Sequence, residues 1–404
     1  MPPSQLKPVS LLARFQRRFP IFRYGVLKNT ITYLPAIGCD PIASRQIGPI
    51  TFQCDVRERF QRYMILDIYE GPLLDVVRAV LRPGDTYVDF GAQLGYTAAF
   101  AAQRIGPTGR MVLVEPDPAA LAFLKPAIAT ANPKTVPEIH LHEVAVSDTP
   151  GELLFEQATT LGHSRILRHE RELRDGKLLR VPVETAAAVL AASKVEQIRL
   201  MKIDVEGHEL HLLASLQPLL AAGRIDVLCI EKNFELLRPQ WILPMHALIA
   251  RHGYLGFRED NLEPVTRASL TSEKVLVENL IYTKDPSHLG SLLTDRSMPT
   301  ANDFAPAEME RWAELFLASN DPEGRALRVI AAALHADFGP AILEAEALLQ
   351  EHPELHDLRG HLAHWYAVKG QRKQALLTYE ELHRQRPGDS FVAGEVRRLR
   401  AEVG

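Results

Sequence analysis

The chain has 404 residues, of which 46% are apolar and 24% charged, and its formal net charge is −4 at pH 7. This length allows two or three domains around a large buried core. The slightly acidic balance argues against duplex nucleic acid as the main partner, because binding to a phosphate backbone requires a basic excess.

The sequence predicts a cytoplasmic protein. Cys39, Cys54 and Cys229 show no CxxC spacing and no even-numbered framework, so we expect reduced thiols. The N-terminal residues lack the apolar core of a signal peptide, and no run approaches the ~20 apolar residues of a membrane span.

Residues 1–82 are predicted to be a basic lead-in segment with an outer strand and helices. Residues 1–62 contain ten Lys and Arg against three Asp and Glu. Val9–Phe19 has the pattern of a basic amphipathic helix, which either packs on the rest of the chain or contacts an anionic membrane peripherally. The outer strand is expected at Ile50–Cys54, and helices are expected at Phe60–Tyr69 and Leu73–Leu81.

Residues 83–285 are predicted to be an α/β domain, because strands and helices alternate and imply a mostly parallel sheet of seven strands. The predicted strands are Thr86–Phe90, Arg110–Glu115, Ile139–Val144, Leu200–Ile203, Val227–Glu231, Tyr254–Arg258 and Asn279–Thr283. The predicted helices are Tyr96–Ile105, Ala119–Ala131, Glu209–Ala222 and Trp241–His252. An excursion from Gly151 to Val183 is expected to form a hairpin over the C-terminal edge of the sheet.

The stretch 86–96 carries the strongest functional signal, because a short apolar strand leads into a turn with two glycines and then a helix. Such turns bind ligands at the edge of a doubly wound sheet, and their glycines let the backbone approach the ligand closely. The spacing is Asp-x-Gly-x-x-x-Gly, and Asp89 would repel the pyrophosphate of a dinucleotide. The acidic side chain suits S-adenosylmethionine (SAM), which has an ammonium and a sulfonium. We assign Asp89, Gly91, Ala92 and Gly95 to a SAM pocket.

Two further carboxylates follow the next two predicted strands. Glu115, with Pro116 beside it, ends the second strand, where an acidic side chain can accept hydrogen bonds from both ribose hydroxyls. Asp148 ends the segment Ala-Val-Ser-Asp after the third strand and is assigned to the adenine amine, although a plain turn would explain it too.

The segment Met-Lys-Ile-Asp-Val-Glu-Gly-His-Glu, residues 201–209, is the second chemical motif. Asp204 and Glu206 follow a predicted buried strand, at the edge where open α/β sheets bind ligands. His208 would face the mouth of the cleft with a near-neutral pKa and could accept a hydroxyl proton, or it is a surface residue of the first helical turn. Glu206 is the second candidate for that proton transfer.

A metal site is possible here but not favoured. Asp204, Glu231 and Asn233 together could offer oxygen ligands to Mg²⁺, or they could orient a substrate hydroxyl without any metal. His163 and Ser164, on the excursion, are candidates for the acceptor side of the site.

Taken in order, these motifs resemble the FkbM family of SAM-dependent methyltransferases over about residues 69–284. The resemblance implies a Rossmann-like class I methyltransferase sheet and O-methylation of a sugar, glycan or polyketide hydroxyl. It assigns the acidic and glycine residues named above to the cofactor pocket, and Glu70 to the methionine end of SAM. Gln93 departs from the Asn that is usual in the glycine turn, and Glu184–Ala186 replaces the usual Leu-Asp, which weakens any inference about the acceptor.

Residues 286–305 are predicted to be a linker and residues 306–404 an all-α tail. A 34-residue spacing, as in Ala341 and Ala375, resembles the tetratricopeptide repeat. Two repeats are fewer than the ~3 that stack stably alone, so we expect the tail to dock on the α/β domain or on another copy or protein.

Two other functions stay open at this point. One is N-methylation of nucleic acid or protein, although no Asn-Pro-Pro-Tyr-like segment is present. The other is a non-catalytic SAM-binding scaffold that acts through its helical tail. A dehydrogenase is poorly supported, because the Gly-x-Gly-x-x-Gly spacing is absent.

Overall fold

The computed structural model describes residues 42–55, 58–65, 69–158, 164–167, 173, 176–233, 239–259, 262–271, 277–293, 325–326, 329, 338–385 and 390–403. The predicted basic helix Val9–Phe19, Cys39 and the candidate acceptor residue His163 lie outside these residues. Cys54 and Cys229 are both buried free thiols.

The core of the protein is a seven-stranded sheet with the order β12-β13-β11-β10-β3-β4-β5. Its strands are β3 (Thr86–Phe90), β4 (Arg110–Val114), β5 (Glu138–His142), β10 (Ile198–Ile203), β11 (Ile225–Asn233), β12 (Leu255–Arg258) and β13 (Val277–Thr283). All pairs are parallel except those of β13, which runs antiparallel to both β11 and β12. The predicted α/β fold class is confirmed.

The strand order places a ligand crevice at the end of β3. The chain proceeds from β3 outward through β4 and β5 on one side, and through β10 and β11 on the other. The connections therefore leave β3 and β10 in opposite directions, and a crevice opens at the carboxyl ends of these two strands. This is the edge where the sequence motifs end.

Helices cover both faces of the sheet and form two apolar clusters. One cluster contains helices α1 (Arg59–Ile65), α2 (Gly71–Val80), α3 (Tyr96–Ile105) and α4 (Pro118–Ala129), together with the hairpin of β1 (Ile42–Ile47) and β2 (Ile50–Asp55). The other contains α5 (Ala186–Ala192), α6 (Glu209–Ala221), α7 (Pro239–Ala250) and a residue of α8 (Arg267–Thr271). The lead-in elements thus share a core with the sheet.

Alternation along β3 decides which side chains meet at the crevice. Val88 and Phe90 point into the α6 and α7 cluster, whereas Tyr87 points into the α2 and α3 cluster. Because successive side chains of a strand point to opposite faces, Asp89 lies on the same face as Tyr87. Lys202 of β10 pairs in register with Asp89 and lies on that face too.

The excursion forms a second sheet rather than a simple hairpin. Four strands have the order β6-β9-β7-β8 and comprise β6 (Ala145–Ser147), β7 (Gly151–Gln157), β8 (Arg165–Leu167) and β9 (Lys177–Thr185). β7 and β9 are the antiparallel pair that was predicted, and β8 and β6 extend it on its two sides. The third strand of the main sheet ends at His142, two residues earlier than predicted, because the chain then turns into β6.

The rest of the described chain is helical. Pro286–Leu293, in the predicted linker, is a 3₁₀ helix that packs against α2. The tail contains α9 (Phe338–Glu351), α10 (His356–Val368), α11 (Arg372–Gln385) and α12 (Ser390–Val403), and each of them packs against the next. Their buried apolar side chains belong to the same contiguous cluster as α6 and α7. In the part of the chain that the structure describes, no helix has the length and apolar character needed to cross a membrane.

Candidate functional site

A cleft opens at the carboxyl ends of β3, β4 and β10 and holds about 840 Å³ of empty space, including the part that opens to solvent. The residues predicted from the sequence that line it are Glu70, Asp89, Gly91, Ala92, Glu115, Pro116, Asp204 and Glu206. Ser164, a candidate for the acceptor side, lines it as well.

The glycine turn is shaped by a close approach between two loops. Gly91 has φ +89°, and a Cβ atom there would lie 1.8 Å from the backbone oxygen of Asp204. The N–H groups of Gly91 and Ala92 both donate to the carbonyl of Val114, at 3.0 Å. Gln93 also has a positive φ, +51°, a conformation that Asn tolerates better than other side chains. The turn therefore needs a glycine at position 91.

Both carboxylate oxygens of Glu115 accept hydrogen bonds from backbone N–H groups. Its Oε2 atom accepts from the N–H of Gln93 at 2.7 Å, and its Oε1 atom accepts from the N–H of Asp117 at 2.8 Å. Each carboxylate oxygen retains a lone pair for a ligand hydroxyl. Burial raises the pKa of Glu115 to about 7, although the two N–H groups act in the opposite direction.

Asp89 lies almost wholly inside the protein, with 1% of its surface exposed. Its Oδ2 atom accepts from the hydroxyl of Tyr87 at 2.9 Å, whereas its Oδ1 atom has no hydrogen-bond partner in the described structure. Burial raises the pKa of Asp89 to about 6. A buried carboxylate oxygen that lines a cleft and lacks a donor is suited to a cationic ligand.

Glu70 enters the same site from the N-terminus of α2. It adopts a left-handed conformation, with φ 46°, immediately before Gly71-Pro72. The hydroxyl of Thr97 donates to its Oε2 atom at 3.0 Å. Burial raises the pKa of Glu70 to about 7, although the positive charge of Lys202 opposes this.

The loop after β10 carries Asp204 and Glu206. Hydrogen bonds to the side chain of Glu209 fix its conformation. The N–H groups of Val205 and Gly207 donate to the Oε1 atom of Glu209 at 3.1 and 3.2 Å. Glu206 is held at φ +53°. Burial, followed by the negative charges of Asp204 and Glu209, raises the pKa of Glu206 well above its usual range. The loop therefore presents a carboxyl of high proton affinity to the cleft.

Three predicted site residues are not among the residues that line the cleft. Gly95 precedes α3 and packs against Leu124. His208 bonds through Nε2 to the hydroxyl of Ser147 at 2.8 Å, and its ring stacks on His211 with 4.5 Å between centroids. Asp148 accepts from Ser147 and has its side chain 45% exposed.

Only one of the three candidate metal ligands is among the residues that line the cleft. Asp204 lines the cleft, whereas Glu231 and Asn233, at the end of β11, are not among its lining residues. The amide of Asn233 donates to Glu231 at 3.3 Å. Among the residues that the structure describes, no group of three or more His, Cys, Asp and Glu side chains is placed to hold a metal ion.

The second sheet forms one wall of the cleft and is bound to the cofactor side through Asp117. Its Oδ1 atom accepts from Gln157 at 2.7 Å and its Oδ2 atom accepts from Ser164 at 2.6 Å. Arg165 of β8 also lines the cleft and forms a buried ion pair with Glu156 at 3.1 Å. This wall therefore consists of residues far apart in sequence from the glycine turn.

Sequence reasoning missed Lys202 and Glu209. Lys202 Nζ lies 2.9 Å from Asp204 Oδ2 and 3.7 Å from Asp89 Oδ1. Burial lowers the pKa of Lys202, but the neighbouring carboxylates outweigh it and raise the pKa well above its usual range. The available signal was a charged residue inside the apolar strand Leu-Met-Lys-Ile, where only a paired charge is tolerated.

Comparison with known proteins relates most of the α/β domain to one family of protein domains. Residues 89–255 match the model of the methyltransferase FkbM domain. They form a SAM-dependent methyltransferase domain. The match covers less than half of the chain, and it excludes Glu70, the lead-in elements and the helical tail. A comparison with curated protein sequences gives no match.

Solved methyltransferase structures are only distantly similar. Fibrillarin of Aeropyrum pernix, with natively bound SAM, has 13% identity and a TM-score of 0.29 over 53% of this chain and 74% of its own. TYW2 of P. horikoshii, in complex with MeSAdo, has 11% identity and a TM-score of 0.30 over 62% and 74%. The precorrin-6y C5,15-methyltransferase of Geobacter metallireducens has 13% identity and a TM-score of 0.27 over 53% and 89%. The assignment of the methyltransferase domain depends on the domain match.

SAM binding is expected to weaken as the pH falls. The pKa values of Glu70 and Glu115, about 7, and of Asp89, about 6, lie above their usual range, so these groups take up protons between about pH 8 and pH 6. A cation and a ribose bind the ionised carboxylates, so binding must release those protons. We expect affinity measured by titration calorimetry to fall at least tenfold over this range.

The raised pKa values also predict how the folding stability of the ligand-free protein depends on pH, which provides a control. Because these pKa values are raised in the folded state, the folded chain binds more protons than the unfolded chain between about pH 4.5 and pH 7. These three groups therefore favour folding as the pH falls through that window, opposite to their effect on binding. Affinity for SAM that is constant or greater at the lower pH would contradict the assignment of the cleft.

Proposed function

We propose that this protein transfers the methyl group of SAM to a hydroxyl of a sugar, glycan or polyketide-type acceptor. The observation that carries the proposal is the charge of the cleft. Among the residues that the structure describes, the cleft is lined by two cations, Lys202 and Arg165, and by six acidic side chains, those of Glu70, Asp89, Glu115, Asp117, Asp204 and Glu206. A ligand with an ammonium and a sulfonium fits such a lining, whereas a pyrophosphate would be repelled.

The residues present fit SAM at both ends of the cleft. Glu115 can accept from two ribose hydroxyls, because each of its oxygens has one backbone donor and capacity for another. Asp89, which is buried, and Glu70, which is partly buried, add two further carboxylates to the lining of the cleft. SAM, when bound, supplies an activated methyl group, so the protein mainly aligns the acceptor and excludes water.

Glu206 is the residue proposed to accept the proton of the acceptor hydroxyl. It lines the cleft, whereas His208 points to Ser147. The raised pKa of Glu206 makes its ionised form a stronger base than an exposed carboxylate, and a cationic ligand nearby favours that ionised form. The αL conformation of Glu206 and the bonds from its loop to Glu209 hold the carboxyl in place.

Glu206→Gln is expected to lower turnover by about 10²–10⁴-fold and to leave SAM affinity within a few fold. His208→Ala is the matched comparison and is expected to change turnover much less. Both variants are assayed with radiolabelled SAM and with glycan and lipid extracts as acceptors, and SAM affinity is measured in parallel. A large loss in His208→Ala with normal turnover in Glu206→Gln would transfer the role of base to His208.

The same assay tests the reaction itself. Mass spectrometry of a labelled product should locate the methyl group on an oxygen of a carbohydrate or polyketide. Label on nitrogen would contradict O-methylation. SAM binding without transfer to any extract would contradict an enzyme and favour a scaffold that acts through the helical tail.

A further inference from the structure

We propose that Lys202 and Asp89 together bind the amino-acid end of SAM, with Lys202 Nζ pairing with its carboxylate and Asp89 Oδ1 with its ammonium. This inference rests on the proposed function, because it concerns the way in which the same cleft takes SAM. It assigns to Lys202 a ligand contact that sets the specificity of the site for an intact amino acid.

The two residues are adjacent because of strand pairing. Lys202 of β10 and Asp89 of β3 are register partners at the carboxyl ends of these strands, and both line the cleft. The distance between Lys202 Nζ and Asp89 Oδ1 is 3.7 Å, which is an ion pair but exceeds the length of a hydrogen bond. An ammonium and a carboxylate therefore lie side by side, complementary to the carboxylate and ammonium of an α-amino acid.

Asp89 has an acceptor to offer. Its Oδ1 atom is buried and has no hydrogen-bond partner in the described structure, whereas Tyr87 occupies Oδ2. Most buried polar atoms in proteins are hydrogen-bonded, so an exception in a cleft points to a missing ligand. A primary ammonium is a suitable donor, because it brings both a hydrogen bond and the opposite charge.

Lys202 has capacity for an anion. Its Nζ atom has three N–H groups, of which one is directed to Asp204 Oδ2 at 2.9 Å and one makes a long bond of 3.4 Å to the carbonyl of Gly91. The three neighbouring carboxylates, those of Asp204, Asp89 and Glu70, keep it positively charged. The other lining cation, Arg165, is engaged by Glu156 on the second sheet. Lys202 is the lining cation that lies beside Asp89, so a ligand whose ammonium binds Asp89 has its carboxylate next to Lys202.

The test compares SAM with decarboxylated SAM, which keeps the sulfonium and the ammonium but lacks the carboxylate. Binding of both ligands is measured by titration calorimetry at about pH 8. Wild-type protein is expected to bind SAM at least tenfold more tightly than the decarboxylated ligand. Lys202→Met should lose most of this preference, because it weakens only the ligand that carries the carboxylate.

Two further variants separate a contact from damage to the site. Asp89→Asn should weaken both ligands by similar factors, since both carry the ammonium, and should keep the preference. Arg165→Met removes the other lining cation and should keep the preference too. If Lys202→Met does not fold, as judged by its melting temperature, Lys202→Gln replaces it, because its amide can still donate to Asp204.

The outcomes are distinct. Absence of a preference in the wild type, or a full preference in a folded Lys202 variant, would overturn the inference and leave the proposed function intact. Wild-type protein that binds neither ligand would overturn the proposed function, and this inference with it.

Discussion

Gly91→Ala is expected to abolish SAM binding and to lower the stability of the protein strongly. A methyl group at this position would lie 1.8 Å from the carbonyl oxygen of Asp204, and the residue has φ +89°. Backbone atoms cannot yield as the end of a side chain can, so the glycine turn and the loop after β10 must separate. Both walls of the cleft would then move away from the cofactor.

Gly84→Ala is the matched control for this prediction. Gly84 has φ +90°, but the nearest atom to an added Cβ is Thr108 Oγ1 at 3.7 Å. Gly84→Ala therefore lowers the free energy of unfolding only by the strain of the left-handed conformation, roughly 1–2 kcal/mol. We expect Gly91→Ala to lose at least about 2 kcal/mol more in a denaturant titration. Similar losses in the two variants, with SAM affinity intact in Gly91→Ala, would show that the close approach does not shape the site.

Glu115→Ala is expected to weaken SAM binding by about 10- to 100-fold. Hydrogen bonds to a charged group contribute about 1.5–3 kcal/mol, and each 1.4 kcal/mol corresponds to a factor of ten. Glu115→Gln is a poorer test, because both carboxylate oxygens accept from backbone N–H groups and an amide would oppose a donor to one of them. Affinity is measured by titration calorimetry.

Glu143→Ala controls for the loss of a negative charge near the same edge of the sheet. Its carboxylate is half exposed and pairs with Lys125 at 2.7 Å, away from the cleft lining. We expect SAM affinity in this variant to stay within about twofold, since exposed ion pairs contribute little. A ligand that lacks the ribose hydroxyls should bind Glu115→Ala and the wild type alike. If the two proteins still differ in affinity for this ligand, Glu115 supports the conformation of the glycine turn and does not bind the ribose.

Much of the fold follows from local patterns in the sequence. The positions of all seven main strands were predicted to within two residues at each end, because buried strands are short apolar runs between glycine and proline turns. The strand Ile139–Val144 was extended too far, since Ala-Val-Ser continues the apolar pattern into β6 of the second sheet. Periodicity does not show where one sheet ends and another begins.

The sequence by itself determined the α/β class and the position of carboxylates at the ends of β3, β4 and β10. Strands, turns and charged positions can each be recognised from a few consecutive residues. Only the tertiary structure decided which of these side chains meet. It brought Lys202 against Asp89 through strand register, placed Glu70 in the same cleft from the residue before α2, and turned His208 and Asp148 toward Ser147. Such juxtapositions depend on pairing between segments far apart in the chain, which no local pattern encodes.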